Sequence, residues 1–267
     1  MFKAIKYVIS ENVGNLYRIF TISKYTITAD IHDSKLGLFW NFANPLIQVM
    51  TYWFLFGIVF QRKAVGDIPY LPWMLTGMAV WFFLSPCITN GCNAIFQKAG
   101  VISKMKFPVS ILPATVIFVE FFNHICFMII TIIGLLLFGF YPSIYWLELI
   151  YYMAAAILFA ISLALVMSVL NMIARDVRKF VLAIMRLLLY LTPILWDIKT
   201  LPKNLQFIMK CNPIFYIVTG YRDCFFYHRG ILFYHKQMAL FFAITLTLFA
   251  IGSTLMYRFK TRFIDLL

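Results

Sequence analysis

Residues 149–174 decide the fold class: they read LIYYMAAAILFAISLALVMSVLNMIA, without one charged side chain. The hydrocarbon core of a bilayer is about 30 Å thick, and a helix needs roughly 20 apolar residues to cross it. Hydrocarbon offers no partner to unpaired backbone N–H and C=O groups, so a segment of this kind crosses as a helix. We therefore predict a membrane-spanning helix over residues 148–173.

Five more segments share this length and composition. Of the 267 residues, 63% are hydrophobic and 12% are charged, against roughly 45–50% and 25% in soluble domains. A soluble fold of this length has too little interior to bury so much apolar surface. We predict an all-α polytopic membrane protein with a single transmembrane domain over residues 1–267. Its six transmembrane helices are predicted at residues 37–60, 70–92, 109–138, 148–173, 180–197 and 237–257.

Lysine and arginine residues orient the chain. Cytoplasmic loops close to the membrane keep an excess of these residues. They are concentrated in the N-terminal segment, in residues 97–108, after residue 173 and at the C-terminal end, whereas the short loops on the other side hold only Arg62 and Lys63. We expect a multi-pass protein of the plasma membrane with both termini in the cytoplasm. The net charge of +13 then serves topology and lipid headgroups, and no nucleic-acid partner is expected.

Two polar regions lie on the predicted cytoplasmic side. Residues 1–36 place apolar side chains at roughly helical spacing among charged ones and lack the features of a cleaved signal peptide. They predict amphipathic helices that lie on the inner membrane surface or pack against the bundle. Residues 97–108 read QKAGVISKMKFP, and Pro108 disfavours helix in the residue before it. This predicts a compact elbow that docks on a soluble partner or serves only as a connector.

Residues 199–236 form the one long connection, and they are too apolar for an exposed loop. Residues 212–227 are rich in aromatic side chains and are interrupted by Arg222 and Asp223. Backbone that enters the membrane without spanning it must be buried in protein or line a wet cavity. We therefore predict a pair of short re-entrant helices in the outer leaflet.

The chain lacks the motifs of nucleotide, metal and hydrolase chemistry. It holds no GxxxxGK[ST], HExxH or GxSxG sequence, so we expect no catalytic residue, cofactor or metal in it. Glu120 and His124 stand on one helix face, where they bond each other or a neighbouring helix. A disulfide between Cys211 and Cys224 is conceivable, and free thiols are favoured. A membrane-embedded transferase for lipid-linked sugars and a channel or secondary transporter stay open as alternatives, although intramembrane ionisable groups are few.

Aromatic residues make up 19% of the chain, and some lie too deep in the predicted spans to be interface anchors. A conduit for sugars would use such rings, which stack on apolar sugar faces, while helix packing or lipid contact is the alternative use. Arg186 either reaches the interface or meets a phosphate in a cavity. The candidate path residues are Tyr52, Trp53, Trp81, Phe82, Phe83, Tyr190 and Arg186.

An ordered set of motifs resembles a known family. The motifs are Trp40-Asn41-Phe42-Ala43-Asn44-Pro45, Lys104-Met105-Lys106-Phe107-Pro108, Gly139-Phe140-Tyr141-Pro142-Ser143, Arg175-Asp176, Thr192-Pro193-Ile194-Leu195-Trp196, Pro202, Asn212-Pro213 and Arg222. In this set the chain resembles the permease subunits of ABC-2 type exporters for lipid-linked polysaccharides and teichoic acids. The branch that exports wall teichoic acid is the nearest, and O-antigen and capsular polysaccharide exporters share the architecture.

This resemblance implies partners and a division of labour. Two copies would pair, each with a separate ATP-binding subunit that holds ATP and Mg, so this chain is not itself the ATPase. The substrate would be a polymer on undecaprenyl diphosphate. The implied coupling residues are Gln97, Val101, Lys104, Met105, Lys106, Phe107 and Pro108, with the N-terminal amphipathic helix as a second contact. The implied diphosphate contacts at the inner mouth are Lys35, Arg175 and Arg178. The implied outer re-entrant segment holds Pro213, Tyr216, Tyr221 and Arg222.

Overall fold

The computed structural model describes residues 1–102 and 107–260. These residues are helical apart from turns, loops and a short antiparallel hairpin of β1 (Ala64–Val65) and β2 (Ile68–Pro69). The α-helices are α1 (Phe2–Gly14), α2 (Leu16–His32), α3 (Phe39–Tyr52), α4 (Tyr70–Cys92), α5 (Ala94–Gln97), α6 (Ala99–Ile102), α7 (Ile111–Leu137), α8 (Leu149–Ile173), α9 (Asp176–Leu191), α10 (Lys203–Lys210), α11 (Pro213–Arg222) and α12 (His235–Phe259). Tighter or wider helical turns occur at Trp53–Val59, Ile144–Glu148, Ile198–Thr200, Asp223–Tyr227 and Ile231–Tyr234.

Within the described residues, five helical segments are long and apolar enough to cross a membrane. They are Phe39–Val59, Tyr70–Cys92, Ile111–Leu137, Ile144–Ile173 and Ile231–Phe259. These segments coincide with five of the six predicted spans. The prediction of an apolar, helical, multi-pass chain is confirmed to that extent.

The remaining predicted span, residues 180–197, differs from the structure at both ends. Helix α9 begins earlier and ends at Leu191 after 16 residues, about 24 Å at the usual rise. The cause of the early end is Pro193, which disfavours helix in the residue before it. Thr192 is accordingly extended, with φ −75° and ψ 138°. By length, α9 falls short of the bilayer core on its own.

Helix α4 is the centre of the bundle. In the most apolar 18 residues of α4, 78% are buried inside the chain. The corresponding share is 6% in Phe39–Val59 and 22% in Ile231–Phe259. It packs against α7, α8, α9 and α11, while α12 packs against α8 and α1. The first and last spans therefore present wide apolar faces away from the chain.

The N-terminal helices lie against the bundle. Helix α1 packs on α12, and α2 packs on α7. Each buries few residues, including Val8 in α1 and Ile19 in α2, and exposes the rest of its surface. The predicted amphipathic helices are present, and their apolar sides contact other helices of the same chain.

Candidate coupling surface and translocation site

The predicted elbow follows directly from the central helix. Gln97 is exposed at the end of α5, and Val101 lies in α6. Lys104, Met105 and Lys106 lie outside the described residues. Phe107 and Pro108 are half-buried. Phe107 packs against two apolar clusters, one that includes Val8 of α1 and one that includes Ile19 of α2, so the distal end of the elbow adjoins the apolar contacts of both N-terminal helices.

A polar cluster ties α1 to the start of α7. The Ser110 hydroxyl donates to the Glu11 carboxylate, and Asn12 Nδ2 donates to Ser110 Oγ at 3.2 Å. The Tyr7 hydroxyl donates to the same carboxylate at 2.6 Å. Burial and the neighbouring Glu11 raise the pKa of Tyr7, so the phenol keeps its proton. Lys260 of the last helical turn lies 4.1 Å from the centroid of the Tyr7 ring. Helix α1 therefore connects the end of the elbow with the end of α12.

One of the predicted inner-mouth residues lies beside the elbow. The Arg175 guanidinium is 5.1 Å from the centroid of Phe96, in α5. Asn171 Nδ2 donates to Asn93 Oδ1 at 3.3 Å in the same region. Arg178 is exposed at the start of α9, and Lys35 is exposed between α2 and α3. The structure thus brings Arg175 to the elbow, and a diphosphate contact by any of the three stays a prediction.

Three of the predicted path aromatics pack inside the chain. Trp81 and Phe83 are buried in α4, and the Phe83 ring centroid is 4.9 Å from that of His124. Phe82 is half-buried and meets Phe127 edge to face, with ring centroids 5.0 Å apart. Their use in the structure is helix packing.

The other predicted path residues lie towards the outside of the chain. Tyr52 and Trp53 are half-buried, Arg186 is exposed, and Tyr190 is 57% exposed. The phenol of Tyr52 interacts with that of Tyr190, so the first span and α9 share this face. We call Tyr52, Trp53, Arg186 and Tyr190 the outward aromatic face.

A hydrogen-bonded chain of polar side chains links the start of α3 and the end of α4 to α7. Asn90 Nδ2 donates to Glu120 Oε1 at 2.8 Å. Asn123 Nδ2 donates to Glu120 Oε2 at 3.2 Å, and Asn41 Nδ2 donates to Asn123 Oδ1 at 3.1 Å. These bonds join α3, α4 and α7. Sequence reasoning noted Glu120 but missed its amide partners, although asparagines within apolar spans were the available signal.

Helix α11 reaches the middle of α7. The Tyr221 hydroxyl is 3.0 Å from Nε2 of His124, the central residue of Ile111–Leu137. The Tyr216 hydroxyl is 3.1 Å from that of Tyr151, in α8. Pro213 is at the first position of α11, and Asn212 caps the helix by accepting from Ile214 N at 2.9 Å. Glu120 and His124 therefore bond neighbouring elements and not each other.

Arg222 fills the space beyond the end of α9. It is buried, and its Nη1 and Nη2 donate to the carbonyl oxygens of Pro193 and Ile194, each at 2.8 Å. Its guanidinium carbon is 3.4 Å from the centroid of Trp73. Burial lowers the pKa of Arg222 to about 9, so it remains protonated at neutral pH. A Cβ atom on Gly77 would lie 2.6 Å from Nη2, which explains a glycine at that position.

Side chains also bond other polar groups of this segment. The Tyr70 hydroxyl donates to Leu195 O at 2.9 Å, and Arg62 Nη1 donates to the same oxygen at 3.2 Å. Asn212 Nδ2 donates to the Thr192 hydroxyl at 3.1 Å. The carbonyl groups at a helix end lack intrahelical partners. Here the carbonyl groups of residues 193–195, just beyond the end of α9, obtain partners from Arg222, Tyr70 and Arg62.

Among the residues that the structure describes, the candidate site has neither a disulfide nor a metal-binding cluster. Cys211 is exposed, Cys224 is buried, and all five cysteines are free, as the sequence favoured. In residues 1–102 and 107–260, no group of three or more His, Cys, Asp and Glu side chains could hold a metal ion. The arrangement offers packing, hydrogen-bonding and charged surfaces.

Comparison with known proteins places these features in a family context. The family model described as ABC-2 type transporter matches residues 17–226. A Klebsiella pneumoniae protein named O-antigen export system permease protein RfbA is 29% identical over 253 residues, which cover 93% of this chain and 96% of that protein. A second protein of that name and organism is 28% identical over 216 residues, covering 80% and 82%. One from Myxococcus xanthus is 25% identical over 207 residues, covering 76% and 78%.

Proposed function

Because this chain belongs to the ABC-2 type transporter family, we propose that it is the permease subunit of an ATP-driven exporter of a lipid-linked, O-antigen-type polysaccharide. The observation that carries the proposal is the alignment of 93% of this chain with 96% of a relative named for O-antigen export. The sequence-based prediction put wall teichoic acid first and O-antigen or capsular polysaccharide second. The relatives favour the second cargo class, so we put it first here.

The proposed energy source is a separate ATP-binding subunit. The sequence holds no phosphate-binding loop, which agrees with ATP and Mg being held by a partner. Residues 97–108 are the proposed docking element, with α1 beside them. Because Phe107 packs against the apolar clusters to which α1 and α2 contribute, a displacement of the elbow by the partner would move the N-terminal helices with it. Rigid shifts of packed elements are a common form of conformational switching.

The proposed path lies between two copies of the chain. Only 6% of the most apolar 18 residues of Phe39–Val59 are buried inside the chain. The outward aromatic face lies on this span and on α9. Pairing two such faces would cover apolar surface and enclose aromatic rings suited to sugar passage. Undecaprenyl diphosphate would remain at the lipid boundary, with Lys35, Arg175 or Arg178 as charged donors for the diphosphate.

The proposed topology keeps six crossings. Helix α9 is short, but residues 193–195 continue from it with their carbonyl groups satisfied by Arg222, Tyr70 and Arg62. Backbone satisfied in this way is tolerated at membrane depth. Helix α11, buried beside the middle of α7, is the proposed deeper half of the re-entrant segment.

Reconstituted export tests the proposal. The chain is co-purified with its proposed ATP-binding subunit and placed in proteoliposomes with lipid-linked polysaccharide. We expect ATP-dependent movement of the polysaccharide to the opposite leaflet, measured by its accessibility to a glycosidase. A lipid-linked polyol-phosphate polymer is the competing cargo, and its preferred export would return teichoic acid to first place. Polymer synthesis by the chain without nucleotide or partner would instead favour a transferase.

The coupling role is tested in the same vesicles. Replacing residues 104–108 by glycine and serine is expected to abolish export while the partner still hydrolyses ATP. The matched control replaces Asp176 and Lys179 by alanine, since these two side chains pair with each other on the surface at 90% and 84% exposure. Normal export after the elbow replacement would exclude the coupling role.

A further inference from the structure

A cavity of about 400 Å³ lies at the end of the bundle opposite the elbow. It is enclosed by the β1–β2 hairpin, the start of α4, the segment after α9, α10, α11 and the start of α12. Its volume falls within the roughly 300–1,000 Å³ usual for small-molecule sites. Its walls combine polar groups with aromatic rings, among them Asp67, Trp73, Asp223, Tyr227, Arg229 and Gln237.

Asp223 is the distinctive group of this cavity. Its side chain lines the cavity, yet the residue is only 1% exposed. Neither carboxylate oxygen accepts a hydrogen bond from any residue that the structure describes. The nearest cation is Arg229, whose Nη1 is 3.9 Å from Oδ1, and this nitrogen donates to the Tyr234 hydroxyl at 2.8 Å instead. The neighbouring Arg222 is engaged by the carbonyl oxygens of Pro193 and Ile194.

A buried carboxylate that accepts no hydrogen bond favours a ligand that brings hydrogen-bond donors. Leaving such a group unmatched costs free energy, and a carboxylate can accept several hydrogen bonds. Vicinal hydroxyl groups of a sugar supply two donors on one face. A phosphodiester unit supplies only acceptors, so it offers the Asp223 carboxylate no hydrogen bond. The rings of Trp73 and Tyr227 add apolar surface of the kind that covers the C–H face of a sugar ring.

We infer that this cavity is a subsite for one neutral, hydroxyl-rich sugar unit of the exported polymer, with Asp223 as the hydroxyl acceptor. Arg229 and Gln237 line the same cavity and complete it as hydrogen-bond donors. The inference rests on the proposed function and extends it, because it places a contact for the polymer at the exit end of the chain. It also predicts discrimination between neutral sugar units and polyol phosphates.

Ligand binding to the whole complex tests the subsite. The chain with its ATP-binding partner is placed in lipid nanodiscs, and saturation-transfer NMR is recorded with a panel of neutral hexose and deoxyhexose methyl glycosides. Glycerol 3-phosphate is the anionic probe. We expect a signal from at least one glycoside and none from glycerol 3-phosphate. Absence of every glycoside signal, or stronger binding of glycerol 3-phosphate, would overturn the subsite.

Two variants locate the binding. Asp223→Asn is expected to weaken glycoside binding about tenfold, since hydrogen bonds to a charged group are worth more than neutral ones. Gln237→Leu is expected to weaken it as well, and it keeps the test valid if the first variant folds poorly. Asp176→Asn makes the same chemical change at an exposed residue and should leave binding unchanged. Equal affinity in wild type and both cavity variants would place the sugar elsewhere.

The outcome is separable from that of the proposed function. A complex that exports polysaccharide but binds glycosides equally well with Asp223→Asn and Gln237→Leu would overturn the subsite alone. A complex that binds glycosides through Asp223 but exports no polysaccharide would overturn the proposed function alone.

Discussion

Arg222 shows how one side chain completes a helix end. A buried charge is costly unless it is paired or fully hydrogen-bonded, and here two carbonyl oxygens and the face of Trp73 provide the compensation. A guanidinium fits this site because it can donate to two carbonyl groups while its planar face stacks on an aromatic ring. The sequence marked Arg222 as a motif residue. Its partners are the carbonyl oxygens of Pro193 and Ile194, about thirty positions earlier, and the sequence did not reveal that contact.

We predict that Arg222→Lys lowers stability by about 2–3 kcal/mol, because an ammonium group cannot bond both carbonyl groups and stack on Trp73. The measurement is the apparent Tm of the purified chain in detergent. Arg178→Lys, at an exposed position, is the matched control and should unfold like wild type. An unchanged Tm in Arg222→Lys would contradict this account of the helix end.

Asp223 makes stability depend on pH. Burial raises its pKa from 3.8 to about 7, so the folded chain holds a proton on this group at acidic pH, and the carboxylate predominates above about pH 7. When the pKa of an acid is higher in the folded chain than in the unfolded chain, its contribution to stability is complete below the unfolded-state pKa. That contribution is lost as the pH rises through the folded-state pKa. We predict that the thermal half-life of the wild type falls between about pH 4 and pH 7 relative to that of Asp223→Asn. Parallel pH profiles for the two proteins would argue against this titration.

At the scale of elements, α11 is held by close packing as well as by hydrogen bonds. A Cβ atom on Gly220 would lie 2.1 Å from Cε1 of Tyr152, a fully buried ring of α8. Overpacking of a filled interior typically costs about 1–3 kcal/mol. We predict that Gly220→Ala lowers the Tm and loosens α11, whereas Gly14→Ala, with nothing within 4 Å of the added carbon, does not. Equal Tm values for the two variants would show that α11 can shift freely.

The contact between α1 and α7 gives a second prediction at this scale. Ser110→Ala removes the hydroxyl bonded to Glu11 and Asn12, so α1 should open more often. We expect faster hydrogen exchange of the amides of residues 2–14, measured by mass spectrometry. Ser10→Ala, at an exposed position of the same helix, is the control. Unchanged exchange would mean that apolar contacts alone hold α1.

The positions of most elements could be predicted from the sequence, whereas their neighbours could not. Uncharged runs located α4, α7 and α8 because a bilayer demands a fixed length of apolar helix. The end of α9 was placed too late, since apolar residues continue past Pro193 although the helix does not. The bond between His124 and Tyr221 joins residues 97 positions apart. One sequence shows the faces of helices but not which faces meet.

At the scale of the whole molecule, the exposed apolar faces predict a second copy. The intact transporter should contain two chains of 31.2 kDa each and two ATP-binding subunits, measurable by native mass spectrometry. A mass that accounts for one copy would contradict the proposed path.

Crosslinking locates the face between copies. In a cysteine-free chain, we predict that Leu187→Cys, at a 56% exposed position of α9, forms a disulfide-linked dimer under mild oxidation. Leu137→Cys, at an 82% exposed position of α7, is the control and should stay monomeric. The reverse pattern would place the interface on α7.

The cavity around Asp223 has a practical consequence. On the predicted orientation it opens on the far side of the membrane from the ATP-binding partner, so a compound that fills it would act without crossing that membrane. Such a compound would have to compete with sugar hydroxyl groups and not with a nucleotide. Selective inhibition would then depend on the shape of the exit and not on an ATPase site that many transporters share.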